Sequence, residues 1–468
     1  MKENIKFYNT LTRHLDSFKP IEKDTVKIYS CGPTVYDYAH IGNFRSYIFS
    51  DLLRRFLKYE GYKVIHTMNL TDVDDKTIRR SNEENMSLKE YTDKYIKVFF
   101  EDLETLNIEK VEYYPRATEH INEMIELIKK LDKNGYTYEA DGSIYFNISK
   151  FKEYGKLSKI DLSGMKSGVR IDVDEYNKED VRDFVLWKGK KEGEPFWETE
   201  YGAGRPGWHI ECSAMSSKYL GETFDIHTGG VDLIFPHHEN EIAQSECASG
   251  KKFVNYWLHC AHLIVNGEKM SKSKGNFYTL RDLLKKGYSP KAIRYLLLST
   301  HYRKQLNFTE EGINAAQQAV EKLQIFYNNL KNLNTFSPDD NGYKDILNSS
   351  IEKFDSNLED DLNISGALGE LFNLVHITNK FIQENKLTKT DTEIVLNAIR
   401  KINSILAVID ESDNENIDKE IEKLIEQRQQ ARKDKNFKLA DEIRDKLKNE
   451  YNIILEDTKE GVRWRKLS

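Results

Sequence analysis

Apolar residues at Phe44, Ile48, Phe49, Leu52, Leu53, Phe56 and Leu57 recur at steps of three and four. Such spacing predicts one buried face of an α-helix. Upstream, Val26 to Tyr29 alternates as a short strand. Downstream, Gly61 stands where a left-handed residue closes a helix, and Lys63 to Leu70 reads as the next strand. Strand, helix and strand in that order predict the first crossover of a parallel α/β sheet. Such sheets bind ligands outside the carboxyl ends of their strands, beside helix N-termini. The loop Cys31-Gly32-Pro33-Thr34-Val35-Tyr36-Asp37-Tyr38-Ala39-His40-Ile41-Gly42-Asn43 occupies that place. It carries a thiol, an imidazole and a glycine where a nucleotide would sit.

The pattern then changes several times. Asn69 to Lys76 is a polar cluster at the second strand's end, where Thr71 and Asp72 suit either a ligand or a helix cap. Residues 126–205 read as an insertion. They hold a hairpin from Gly135 to Ile148, a Gly-, Ser-, Lys- and Asp-rich stretch from Lys156 to Asp180, and a strand from Asp183 to Lys188. Alternation returns over 206–265, with a helix opening at Trp208, a strand from Thr223 to Thr228 and an apolar strand pair from Phe253 to Val265. Pro236 fits the first position of a further helix. Beyond Ser289 the chain is mostly helical, with stripes at Val320, Leu323, Phe326, Tyr327 and Leu330 and at Ala367, Leu368, Leu371, Leu374 and Val375. Glu411 to Asn416 is a polar linker, followed by a stripe at Leu439, Ile443 and Leu447 and a tail of strand character.

The expected fold is therefore α/β. A Rossmann-type parallel sheet in two halves, 1–125 and 206–265, is interrupted by the insertion 126–205. A basic-loop region 266–315, a helical bundle 316–410 and a small α/β domain 411–468 follow.

Composition narrows this picture. The 468 residues have room for about two to four domains. The formal net charge is −7, so no global basic field announces nucleic acid. Met1 to Thr10 has no apolar core of a signal peptide, and no run reaches the roughly 20 residues that span a bilayer. A cytoplasmic protein without a membrane partner is expected. The four cysteines, Cys31, Cys212, Cys247 and Cys260, lie far apart and match no disulfide framework, which favours metal or thiol chemistry.

Three constellations carry candidate chemistry. His237 and Glu241 are spaced to share one helix face, and Cys31 and Cys212 each fall at a strand–helix junction. Two thiols, an imidazole and a carboxylate can fill a tetrahedral zinc shell. His238 and His209 are alternative ligands, and adjacency does not choose between His237 and His238. His40 and Gly42 precede a helix N-terminus suited to phosphate, and Lys269-Met270-Ser271-Lys272-Ser273-Lys274-Gly275-Asn276 is a cationic loop suited to a triphosphate. Residues 421–468 hold 13 Lys and Arg against 10 Asp and Glu. There Arg463, Trp464 and Arg465 suit stacking on unpaired bases. A solvated loop and a solvated helix face are the plain structural alternatives for the last two.

His40-Ile41-Gly42-Asn43 resembles the HIGH signature of class I aminoacyl-tRNA synthetases, and Lys269-Met270-Ser271-Lys272-Ser273 reproduces their KMSKS loop. Tyr29 to Asp37, Arg205 to Ser213 and Phe235 to Glu241 resemble the cysteinyl-tRNA synthetase family in particular. Arg432 through Trp464 and Arg465 is similar to that family's anticodon-binding end, so the resemblance covers essentially the whole chain.

The resemblance implies that Cys31, Cys212, His237 and Glu241 hold one zinc ion per subunit. It implies that His40, Gly42, Asn43, Lys269, Ser271 and Lys272 meet ATP with its Mg2+, with His40, Lys269 and Lys272 catalytic. It assigns the substrate cysteine to Gly32, Thr71, Trp208 and His227. It gives tRNA(Cys) to Arg463, Trp464 and Arg465, and the tRNA acceptor end to the insertion. A monomer is expected. The implied reaction forms cysteinyl-adenylate and transfers cysteine to the tRNA 3′ end, with zinc selecting the thiolate. Two positions depart from the pattern: Asn43 replaces the second histidine of HIGH, and Thr228 stands where the family has a glycine after His227. Two rivals are a cysteine ligase acting on an amino-sugar acceptor and a zinc-bearing RNA-binding protein. Residues 411–468 oppose the first, and the KMSKS loop opposes the second.

Overall fold

The computed structural model describes residues 4–160, 170–171, 183–271, 275–412, 415–434, 436–451, 453–458 and 461–466. The chain opens with an antiparallel pair, β1 (Lys6–Asn9) and β2 (His14–Ser17). The expected crossover follows as β3 (Thr25–Ser30), α1 (Ile41–Tyr59) and β4 (Lys63–Met68). His40 caps α1, and Gly61 follows its end at φ +92°, a backbone angle that a side chain would strain. Next come α2 (Asp75–Glu83) and α3 (Leu88–Thr105). The cap of α2 is Asp74, whose carboxylate accepts the Thr77 amide, so Thr71 and Asp72 lie outside it.

After α4 (Ile121–Lys133) the insertion forms its own sheet: β5 (Thr137–Ala140), β6 (Ser143–Phe146), β7 (Arg170–Ile171), β8 (Asp183–Gly189) and β9 (Gly204–Pro206). Its strand order is β5-β6-β8-β7, with β9 paired to β8. The chain then returns through α5 (Trp208–Leu220), β10 (Phe224–Gly230), α6 (Glu239–Ser249) and β11 (Val254–Cys260). Pro236 is not the first residue of α6. It lies in a single wide turn, Ile234–His238, after a cis Phe235–Pro236 bond, and the regular helix begins three residues later.

The central sheet is fully parallel in the order β11-β10-β3-β4. Both halves of the chain thus meet at β3 and β10. One face, with Val26, Ile28, Ile226 and Leu258, packs on α1. The other carries a row of adjacent-strand partners, Tyr29, His227 and Trp257.

β12 (Leu263–Val265) leaves the parallel sheet to pair with β13 (Glu268–Lys269), so the expected strand pair is divided between two sheets. α7 (Leu280–Lys285), α8 (Pro290–Ser299) and β14 (Leu306–Phe308) follow. The helical region comprises α9 (Glu310–Lys331), α10 (Tyr343–Glu359), α11 (Ile364–Gln383) and α12 (Lys389–Leu406). Its stripe residues share one continuous core with α1 and the sheet. The last unit is α13 (Glu415–Lys433), α14 (Phe437–Tyr451) and the hairpin β15 (Ile453–Thr458) and β16 (Gly461–Lys466), with a small separate core of Ile425, Ile443, Leu447 and Ile453. Divisions drawn at 125, 205 and 315 fall inside α4, β9 and α9, because the insertion and the bundle join the sheet through continuous elements.

Candidate active site

Strand order gathers the candidate donors. β3 delivers Cys31, α5 presents Cys212, the wide turn presents His237, and the first turn of α6 presents Glu241. Their ligating atoms all lie within 4.8 Å of one another. That spread lets one ion with bonds of about 2.0–2.3 Å draw them together. Glu241 stands between two imidazoles: Oε1 is 3.0 Å from His237 Nε2 and Oε2 is 2.9 Å from His227 Nε2. The spacing argument for Cys31, Cys212, His237 and Glu241 therefore has a geometric counterpart. A second set, Cys31, His227, His238 and Glu241, meets the same criterion.

Supporting residues orient the histidines. His237 Nδ1 lies 2.8 Å from His209 Nδ1, and the Trp208 ring lies 4.2 Å from that of His237. His238 contacts Cys31 Sγ at 3.3 Å and His259 at 2.8 Å, and His259 continues to the Thr10 hydroxyl at 2.7 Å. Histidine ligands need such partners to fix ring orientation. His209 was legible as an alternative ligand, whereas His259 and Thr10 escaped the sequence reading. The signal available was strand alternation, which puts Trp257 and His259 on one face of β11.

Electrostatics separate the donors. Burial pushes the Cys31 thiol well above its ordinary value, and its hydrogen bond to Cys212 adds to this. Burial also penalises the Cys212 thiolate, but that same bond and the neighbouring His237 outweigh it, bringing Cys212 down to about 6. Glu241 is likewise opposed by burial yet held at about 2 by His227 and His237. Against burial, Cys212 and Glu241 in turn raise His237 to about 10, so a cation bound by all four donors displaces protons from His237 and Cys31. The donor set fits zinc.

The implied amino-acid contacts surround this cluster. A Cβ on Gly32 would lie 1.8 Å from the Asn69 carbonyl oxygen, so only glycine permits this approach of the two crossover loops. Gly32 N donates to Asn69 Oδ1 at 2.9 Å, Asn69 donates to Thr71, and Thr71 donates to Glu211 at 3.2 Å. His227 is fully buried and stacks on Trp257 at 4.5 Å. The Thr228 departure has a local reason. Its hydroxyl joins Ser30 at 2.6 Å and Ser50 at 2.9 Å, on the face of the sheet opposite His227.

The nucleotide loop begins nine residues after Cys31. His40 Nδ1 accepts the Asn43 amide and Asn43 Oδ1 accepts the His40 amide, both at 3.1 Å, which forms a reciprocal cap on α1. Gly42 lies in the first turn of α1, beneath Met270. Lys269 is exposed at the end of β13, and Asn276 closes the loop by accepting the Ser271 amide at 2.8 Å and donating to the Lys269 carbonyl. Lys272, with 273 and 274, lies outside the described residues. Arg463, Trp464 and Arg465 lie in β16 opposite Glu456, Leu455 and Ile454, with only their backbone described.

Comparison with known proteins decides the family. Residues 17–318 match the model of the tRNA synthetases class I (C) catalytic domain, 353–410 a DALR domain, and 414–465 the cysteinyl-tRNA ligase anticodon binding domain. The cysteine–tRNA ligase of Brachyspira hyodysenteriae is 54% identical over 477 residues, covering 99% of this chain and all of that one. That of Leptospira interrogans is 52% identical, with 99% of each chain covered.

The chain belongs to the cysteine–tRNA ligase family.

A cysteine–tRNA ligase is an enzyme that forms aminoacyl-tRNA, and the anticodon-domain match at 414–465 removes the ground for the amino-sugar rival. Solved structures show the same fold at low identity. Mycobacterium tuberculosis methionyl-tRNA synthetase with methionyl-adenylate aligns with a TM-score of 0.61 at 14% identity, covering 82% of this ligase and 90% of that chain. An Agrobacterium radiobacter LeuRS–tRNA–LeuAMS complex aligns at 0.59 and 11% identity, covering 83% and 84%. Among the described residues of the ligase, no helix is long and apolar enough to cross a membrane.

Proposed function

We propose that this ligase selects cysteine at a zinc ion held by Cys31, Cys212, His237 and Glu241, and activates it on ATP bound between His40 and the loop 269–276. The observation that carries this reading is the convergence of four metal donors beside the crossover loop that also caps α1 through His40. Serine differs from cysteine by oxygen for sulfur, and packing alone separates such near-isosteres poorly. Zinc bound at this set supplies a preference for thiolate over hydroxyl.

The chain's own residues do the rest. Gly32, Thr71, Trp208 and His227 bound the space in which the amino acid sits. The Asn43 amide donates to His40 Nδ1, so Nε2 is the ring atom that carries the hydrogen offered to a phosphate oxygen. The N-terminus of α1 adds partial positive charge, and Lys269 and Lys272 neutralise the pyrophosphate that leaves when the cysteine carboxylate attacks the α-phosphate. ATP enters with Mg2+. A terminal ribose hydroxyl of tRNA(Cys) then attacks the activated carbonyl, with positioning as the main catalytic contribution. The insertion takes the acceptor end, and the unit from 411 onward, with Arg463, Trp464 and Arg465, takes the anticodon.

The test is ATP–pyrophosphate exchange with cysteine and serine side by side. Exchange with cysteine alone, lost when the metal is chelated and restored by zinc, is the expected result. Equal exchange with serine overturns the selection role.

A further inference from the structure

The two ATP-facing segments are far apart in sequence yet physically joined. His40 pairs with Thr279, Ile41 N donates to the Tyr278 carbonyl at 3.0 Å, and the Phe277 ring meets the His40 ring edge-on at 5.3 Å. These contacts hold only the stem of the loop 269–276. The helix that follows, α7, is short and buries just Leu280 and Leu283. Apolar packing offers it little purchase.

One side chain compensates. Arg281, on the first turn of α7, donates from Nε to Asp102 Oδ1 at 3.1 Å and from Nη2 to Glu101 Oε2 at 2.8 Å, both at the end of α3. Its guanidinium carbon also lies 5.5 Å from the centre of the Tyr38 ring. Tyr38 sits two residues before His40, is 39% exposed, and meets Tyr95 of α3 edge-on at 5.7 Å. Arg281 therefore touches the segment after the phosphate loop, the helix α3 and the loop that runs from Cys31 to His40. A planar fork can serve two carboxylates and an aromatic face together; an ammonium group cannot.

We propose that Arg281 is a positioning residue for adenylate formation, fixing the segment 277–279 against the His40 loop through Tyr38, Asp102 and Glu101. This inference rests on the reading that both loops meet ATP. Among the described residues Arg281 meets Tyr38, Glu101 and Asp102 and none of the four candidate donors, so its effect falls on the nucleotide half of the site.

The experiment is steady-state ATP–pyrophosphate exchange with metal analysis and thermal unfolding on each variant. Arg281→Ala is expected to lower kcat for exchange by about tenfold or more and to raise KM for ATP. KM for cysteine and bound metal should stay at parent values. Arg281→Lys should recover only part of the loss. Exchange within about twofold for Arg281→Ala, beside an inactive His40→Ala, overturns the positioning role alone. Full exchange in both variants overturns the underlying reading of the ATP site. A loss that tracks lost metal and lowered Tm is a folding defect and also overturns the role. Should Arg281→Ala fail to fold, the exposed partners Tyr38→Ala and Glu101→Gln carry the same expectation of raised KM for ATP, and parent kinetics in both would overturn it.

Discussion

His40 and Asn43 cap one another: each side chain accepts the other's backbone amide at 3.1 Å. Asn43 therefore has a structural task at the position where the class signature has histidine. The pairing also commits Nδ1 of His40 to the cap. His40→Asn separates this cap from the proposed ATP contact, since asparagine is a good helix cap but lacks the reach of Nε2. The variant should unfold within about 1 kcal/mol of the parent while pyrophosphate exchange falls about 100-fold. A stable variant with unimpaired exchange would show that His40 only caps the helix.

Cys212 is the cluster's thiolate, and Cys247 lies outside the donor sets with its thiol pushed up to about 12, chiefly by burial. Cys212→Ser should lose the stoichiometric metal, and Cys247→Ser should keep it. Metal analysis of the two purified variants decides the matter. A full equivalent retained by Cys212→Ser would reject the donor set.

Much of this site was legible because its signals are local. The helix α1 announced itself through the Phe44 to Leu57 stripe, and Gly61 marked its end. Patterning put Cys31 and Cys212 at strand–helix junctions and His237 and Glu241 one helical turn apart, whereas the choice of His237 over His238 came from the family resemblance. Their supporters were not legible. Thr10 and His259 lie almost at opposite ends of the catalytic half, and they meet only because the end of β1 docks on β11, with Thr10 N donating to the Trp257 carbonyl at 2.8 Å and Asn9 to the Asn255 carbonyl at 2.9 Å. Pro236 misled for a related reason: a residue suited to a helix start was used in a turn, which sets His237 and His238 before the regular helix.

Thr228 shows how a departure from the family pattern can be absorbed. Its hydroxyl shares a buried network with Ser30, Ser50 and His66, the last 2.7 Å from Ser30. Thr228→Gly removes a hydroxyl shared by Ser30 and Ser50, leaving Ser50 only its longer 3.3 Å bond to Ser30. A loss of about 1–3 kcal/mol in unfolding free energy is expected, with metal content unchanged because Cys31 is tied to the Thr228 carbonyl through the backbone. Unaltered stability in chemical denaturation would mean that the hydroxyls re-pair without it.

Asp102 is held up at about 6, mainly by burial, which its hydrogen bond from Arg281 only partly offsets and the nearby Glu101 charge reinforces. A carboxyl with a raised folded value stabilises the fold while protonated, and that contribution fades as pH rises through about 4 to 6. Asp102→Asn has no such slope. The difference in Tm, variant minus parent, should therefore grow as pH increases over that window and level off above it. A flat difference would place the folded value near the ordinary 3.8.

The final unit has its own small core, and the helices α13 and α14 pack on each other and on the β15–β16 hairpin. The preceding segment is anchored separately: Asn403 accepts the Val408 and Ile409 amides and donates to Glu411. The four candidate donors, His40 and Lys269 all lie on elements that precede Ile409, apart from the final unit's core. Ending the chain after Ser412 should therefore leave cysteine-dependent exchange within about twofold of the parent and leave bound metal intact. Transfer of cysteine to tRNA should fall by at least about 100-fold, because the anticodon contacts that orient the acceptor end are gone. Exchange and transfer measured on the same preparation separate the outcomes. Transfer that survives truncation would confine tRNA recognition to the catalytic half and its insertion.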